Sequence, residues 1–147
     1  MSFRYQIIGD GPEYLRLQYI TSELELEPIV DFRGQCTHED ALSALNNTDL
    51  YIQYSLSEGF CNAVLEAQAK GCLCVVSDGG ALPENVIDGE TGFVVASRNP
   101  KKLATTLLKI LKMPDNDIRA MTTKARHRAI ADFTIEKQMQ SFIEFYE

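Results

Sequence analysis

The sequence predicts a layered α/β domain with a mostly parallel sheet of about five strands, and three observations carry that prediction. Short apolar runs alternate with segments of helical periodicity along most of the chain. The run Leu73-Cys74-Val75-Val76 is nearly continuous in apolar character, which suits a strand covered on both faces. Between the runs lie Gly-, Pro-, Asn- and Asp-rich punctuation such as Gly9-Asp10-Gly11-Pro12 and Asp88-Gly89-Glu90-Thr91-Gly92.

Taken in order, Phe3 to Ile8 reads as a first strand, and Pro12 is placed for the first position of a helix over Glu13 to Leu24. Leu15, Tyr19 and Ile20, with Leu24 one turn on, give that helix the apolar stripe of an amphipathic helix. Ile29 to Phe32 is the second strand, closed by Gly34. Thr37, with Asp40 three residues on, marks a helix start, and Asn46-Asn47-Thr48-Asp49 marks its end. Leu50 to Gln53 is the third strand and Cys61 to Lys70 a helix stopped by Gly71 in a left-handed cap. Leu73 to Val76, a short helix near Pro83 to Val86, and Phe93 to Val95 follow. Asn99-Pro100 opens a helix over Lys101 to Lys112 with Leu103, Leu107, Ile110 and Leu111 on its inner face. Ile118 to Ala131 and a segment from Phe133-Thr134 complete the chain, the last presenting Met139, Phe142, Ile143 and Tyr146 as an apolar face.

The chain has 147 residues, which predicts one domain over 1–147 with no internal boundary. With 45% hydrophobic and 24% charged residues it is an ordinary globular composition. A net charge of -7, from 14 Lys and Arg against 21 Asp and Glu, argues against wide contact with nucleic acid, which is built on many cationic contacts to phosphate. Cys36, Cys61, Cys72 and Cys74 show neither a CxxC spacing nor a His cluster, so no metal site is expected and reduced thiols in a cytoplasmic protein are. Cys72 and Cys74 fall on one side of their strand. The start Met1-Ser2-Phe3 leads directly into a strand, with no signal peptide and no apolar run of membrane-spanning length.

The functional candidate is Glu58-Gly59-Phe60-Cys61-Asn62-Ala63-Val64-Leu65-Glu66, a loop at the carboxyl end of the third strand leading into a helix. Ligands bind parallel sheets at such ends. Gly59 lets the chain turn, and the amides around Phe60, Cys61 and Asn62 fall in the unpaired first turn, where a phosphate is favoured. Glu58 at the mouth and Glu66 about two turns along the helix are placed to accept bonds from sugar hydroxyls. Two plainer readings stand beside this: Glu66 is spaced to pair with Lys70, and Glu58 to cap the helix.

That run, with Gly71 and the Val75-Val76 strand after it, resembles the paired-glutamate motif in the nucleotide-binding half of retaining glycosyltransferases with two Rossmann-like domains (the GT-B type). The specific likeness is to the large group 1 family, family 4, which includes glycogen and sucrose synthase relatives. Gly9-Asp10-Gly11-Pro12, Val30-Asp31-Phe32-Arg33-Gly34, Gly79-Gly80-Ala81-Leu82-Pro83-Glu84 and Asp88 to Val95 match in the family's order.

The resemblance implies a Rossmann-like three-layer sandwich and a role as the donor-binding, carboxyl-terminal domain. Glu58 would be catalytic, contacting the donor sugar. Gly59, Phe60, Cys61 and Asn62 would lie beside sugar and diphosphate, Glu66 would hold the ribose, Arg33 and Gly34 would lie near the base, and Gly79 and Gly80 would line the floor. The substrate implied is a nucleotide-diphosphate sugar, with no metal and no further cofactor, and the reaction is a hexosyl transfer with retention to a saccharide or lipid-linked acceptor in polysaccharide biosynthesis.

The resemblance also implies a partner, the amino-terminal acceptor domain, and a first family strand with a Gly-Arg segment and a Lys, none of which is in this sequence. The chain alone is therefore expected to be inactive. Phe3 to Ile8 is expected either to close directly on Leu50 to Gln53 or to leave that strand position to a second copy, giving a homo-oligomer. A cytoplasmic location, or one peripheral to the inner membrane, is implied. Within the motif, Cys61 replaces the usual glycine, and Tyr54 and Leu73 replace usual prolines. The competing expectation is a non-catalytic Rossmann-like interaction or oligomerisation module.

Overall fold

The structure is a computed structural model that describes residues 3–146; Met1, Ser2 and Glu147, including the expected chain start, lie outside the described residues. The elements run β1 (Tyr5–Ile8), α1 (Tyr14–Glu23), β2 (Val30–Gly34), α2 (His38–Leu45), β3 (Leu50–Gln53), α3 (Asn62–Lys70), β4 (Leu73–Ser77), α4 (Leu82–Asn85), β5 (Gly92–Val95), α5 (Pro100–Ile110), α6 (Asp115–Asp132) and α7 (Ile135–Tyr146). Every expected strand and helix is present, with ends shifted by a few residues.

The single unit expected from length is instead two compact units, Met1–Ala44 and Leu45–Glu147. Every strand pairing is parallel, as expected, but the strands form two ladders, β1-β2 and β3-β4-β5. Among the described residues β1 pairs with β2, and β3 pairs with β4, so Phe3 to Ile8 does not close on Leu50 to Gln53. Parallel neighbours need a crossover connection, which α1 supplies from β1 to β2 and α3 from β3 to β4.

In the first unit, Tyr5 aligns with Val30 and Ile7 with Phe32, and the register slips before Ile8 meets Gly34. Tyr14 on α1 meets Phe32 edge-on at 5.5 Å between ring centres. The helix begins at Tyr14, two residues after Pro12, so the proline belongs to the turn and not to the first helical position. The expected apolar stripe of α1 is not buried: Leu15 is 77% and Tyr19 65% exposed. Helical period sets which residues share a face, but whether that face is covered depends on what packs on it. At α2, Thr37 Oγ1 accepts from the Asp40 amide (3.1 Å) and bonds the Asp40 carboxylate (2.7 Å), the capping arrangement its spacing predicts.

In the second unit β4 is buried along its whole length between β3 and β5. Its side chains alternate between two cores, as strand geometry requires. Cys72, Cys74 and Val76 join Val64, Ala67, Leu82 and Val86 on one side. Leu73 and Val75 join Phe93, Val95, Ile110 and Met121 on the other. The two cysteines do share a side, and burial pushes both thiols above their usual pKa.

Gly71 takes the left-handed cap at φ 91° that ends α3. Asn99 caps α5 by accepting from the Lys102 amide at 3.0 Å, with Pro100 in the first turn. Of the expected α5 stripe, Ile110 is buried and Leu103 and Leu107 pack against the second core. The apolar face of α7 is exposed, with Met139 60%, Phe142 57% and Ile143 51% open. Among the described residues no helix is long and apolar enough to cross a membrane.

Candidate functional site

The loop from Tyr54 to Cys61 leaves the carboxyl end of β3 and delivers the chain into α3. Its glutamate is held by a relay of side chains that starts in the strand. Tyr51 donates to Gln53 Oε1 (2.8 Å), Gln53 Nε2 donates to Ser55 Oγ (2.9 Å), and Ser55 Oγ donates to Glu58 Oε2 (3.3 Å). Tyr51 has its pKa raised, first by burial and then by the negative charge that Cys61, Cys74, Glu66 and Glu58 carry when ionised, so it keeps the proton it donates.

Glu58 is half-buried, and its carboxylate is oriented by Ser55 rather than committed to the helix. The N-cap of α3 is Cys61, with no side-chain bond capping the turn, so the capping reading of Glu58 is not realised. Because α3 starts at Asn62, Glu66 lies about one helical turn in, not two. Glu66 is half-buried on the same helix.

Gly79 and Gly80 press against the loop from the other side. A Cβ on Gly79 would lie 2.5 Å from the Ser55 carbonyl oxygen, and one on Gly80 would lie 3.0 Å from the Glu58 amide and collide with its carbonyl. Gly80 also has φ 65°, and the adjacent Ala81 amide donates to Glu58 O at 3.0 Å. Ser77, at the end of β4, donates its hydroxyl to the Ser55 carbonyl. These two glycines therefore let one loop seat on the other.

Cys61 differs from the expectation. Its amide donates to Asn85 Oδ1 (3.2 Å) and its carbonyl accepts from Asn85 Nδ2 (3.3 Å), so this amide does not face outward. Its side chain packs against the first core, beside Tyr51, and not out beside a ligand. The physical reason is that a half-buried N-cap backbone must find partners, and Asn85 supplies both. Asn62 and Ala63, next in the chain, lie in the first turn, whose amides have no carbonyl one turn back within the helix. Gly59 and Phe60 are exposed at the loop tip, and the Phe60 ring packs at a tilt against Phe133, 5.2 Å between ring centres.

Arg33 and Gly34 belong to the first unit, where Arg33 is exposed with its guanidinium 3.6 Å from the Asp31 carboxylate and Gly34 turns the chain at φ 65°. Glu58, Gly59, Phe60, Cys61, Asn62, Glu66, Gly79 and Gly80 all belong to the second unit. Tyr51, Gln53, Ser55 and Asn85 were not anticipated. Between Leu82 and Val86, both fully buried, the sequence has the polar pair Glu84-Asn85 and nothing that singles out Asn85.

This geometry is a strand-loop-helix site with a poised carboxylate, and residues 2–128 match the family model of glycosyl transferases group 1. The chain belongs to that family. A candidate colanic acid biosynthesis glycosyltransferase of Salmonella typhimurium is 26% identical over 98% of this chain and 38% of its own length. The N-acetyl-alpha-D-glucosaminyl L-malate synthase of Bacillus anthracis is 28% identical over 95% of this chain and 36% of its own. This group 1 chain thus spans under two fifths of the length of those curated relatives. HepE of Anabaena, solved in complex with UDP, superposes with TM-score 0.88 at 22% identity, over 98% of this chain and 40% of that one. The fold is accordingly the Rossmann-like α/β fold of GT-B glycosyltransferases.

Proposed function

We propose that this group 1 glycosyl transferase chain holds a nucleotide-diphosphate sugar and acts, within a longer protein, in transfer of the sugar with retention of configuration. The observation that carries the reading is the Glu58 carboxylate, oriented by Ser55 at the mouth of the loop that opens α3. HepE, with the same fold, has been solved with UDP and with UDP-glucose.

In this reading the diphosphate rests on the first-turn amides of Asn62 and Ala63 and on the exposed tip at Gly59 and Phe60. Glu66 accepts from the ribose hydroxyls and Glu58 from a hydroxyl of the sugar. On transfer, the bond from the anomeric carbon to the phosphate oxygen breaks, the acceptor hydroxyl oxygen bonds that carbon on the same face, and the hydroxyl proton passes to the departing diphosphate oxygen. Negative charge develops on the departing diphosphate, where oriented amides at the positive end of a helix stabilise it. The acceptor, saccharide or lipid-linked, and the domain that binds it complete the enzyme, so the chain alone binds donor without turnover.

The test is calorimetric titration of the chain with UDP, GDP, ADP and UDP-glucose, with Glu66→Ala beside it. Binding of one nucleotide that Glu66→Ala weakens by about tenfold or more supports the site, since a ribose contact to a charged group is strong. No binding by any of them, or binding indifferent to Glu66→Ala, overturns it.

The exposed apolar face of α7 favours a second reading, a non-catalytic interaction module. A concentration-dependent dimer with no nucleotide affinity would favour that one.

A further inference from the structure

The geometry points to Asn85 as the positioning residue of the donor site: its side-chain amide pairs with the backbone of Cys61 and thereby sets where the Phe60 tip and the first turn of α3 stand. This rests on the donor-binding reading above.

Asn85 closes α4 and is fully buried. Its Oδ1 accepts from the Cys61 amide and its Nδ2 donates to the Cys61 carbonyl, so one side-chain amide bridges the N–H and C=O of a single residue. That pairing fixes which way the amide points, because the flipped side chain would face donor to donor and acceptor to acceptor. Cys61 makes no side-chain capping bond of its own; its carbonyl accepts from the Val64 amide (3.2 Å) as well as from Asn85, and its amide is held by Asn85.

Asn85 is itself immobilised from two elements. Its carbonyl accepts from Gln68 Nε2 (3.0 Å) on α3 and from Arg128 Nη1 (2.9 Å) on α6. Arg128 Nη2 also bonds the Glu84 carbonyl (2.8 Å), and its guanidinium lies 4.8 Å over the ring of Phe133, which packs at a tilt against Phe60. The loop tip is thus braced at two adjacent residues: Phe60 through Phe133 and Arg128, and Cys61 through Asn85, which Arg128 also holds. A site whose ligating amides are set in this way needs no rearrangement on binding.

The test has two arms. In the native chain, hydrogen exchange of the Cys61 amide followed by NMR is expected to be slow both without and with saturating UDP, because Asn85 holds that amide and the ligand does not. A Cys61 amide that exchanges freely until UDP arrives overturns the inference. In the second arm, Asn85→Ala and Asn85→Asp are compared with Met121→Ala, which opens a cavity in the other core, at a temperature where all are folded. Both Asn85 variants are expected to lose about tenfold or more in UDP affinity, the scale on which supports behind ligating groups act, while Met121→Ala loses stability and keeps native affinity. UDP affinity in folded Asn85→Ala within about twofold of native, or an equal loss in Met121→Ala, overturns the inference. Failure of the native chain to bind any nucleotide instead removes the donor-binding reading itself, and with it the inference.

Discussion

Gly80 lies directly against the backbone of Glu58, so that a methyl group on the glycine would run into the glutamate carbonyl. The adjacent Ala81 amide bonds that same carbonyl at 3.0 Å. The loop after β4 therefore serves as the seat on which the Glu58 loop is set, and the glycine pair is required by the closeness of two backbones.

Gly80→Ala should for that reason be severe. It places a Cβ both on a left-handed backbone, φ 65°, and against Glu58 backbone atoms. The expected loss is at least about 2 kcal/mol, measured by urea unfolding, since strain and overlap add at one site. A change below about 0.5 kcal/mol would show that the two loops do not seat as described.

Tyr54 should act as a fastener between the end of β3 and the start of α5. Its hydroxyl donates to Ala96 O (2.6 Å) and accepts from the Asn99 amide (2.9 Å). Tyr54→Phe is expected to lower stability by about 1 kcal/mol, the usual net size of a hydrogen bond with a partly solvated partner. Chemical denaturation reads it directly, and an unchanged midpoint would remove the role.

Asp78 should contribute to acid sensitivity. The Ser97 amide bonded to it at 2.7 Å holds its carboxyl below the usual aspartate pKa. A depressed folded pKa means the stabilisation is fully present above the ordinary aspartate value, about 3.9, and is lost as pH falls through the lower folded value. The native chain should exceed Asp78→Asn in melting temperature near neutral pH, and the gap should shrink on acidification below about pH 4. A gap that stays constant to pH 2 would show the carboxylate charge to be irrelevant.

The strands and helices of this chain were legible because their signals are local. Thr37 with Asp40, Gly71 after Lys70, and Asn99 before Pro100 each announce a helix end, and each is found at one. The run from Leu73 predicts a strand covered on both faces, and β4 is buried throughout. The order of motifs along the chain resembles that of the group 1 glycosyltransferases, and residues 2–128 match that family's model. What failed to read was coverage and pairing. The α1 stripe of Leu15 and Tyr19 has the period of a buried face yet is exposed, because periodicity says nothing of what lies opposite.

The sequence alone therefore determined the α/β class, the strand and helix segments with their ends, and the placement of Glu58, Gly59 and Glu66 about the start of α3, since each rests on local pattern along the chain. Tertiary structure decided that the strands form two ladders, that the Cys61 amide is committed to Asn85, and that Gly79 and Gly80 seat the Glu58 loop. Those partners lie about twenty or more residues apart in sequence, and no local pattern specifies which distant backbone will meet which. The site at Glu58 is thus announced by its own residues but held in shape by others that only folding brings to it.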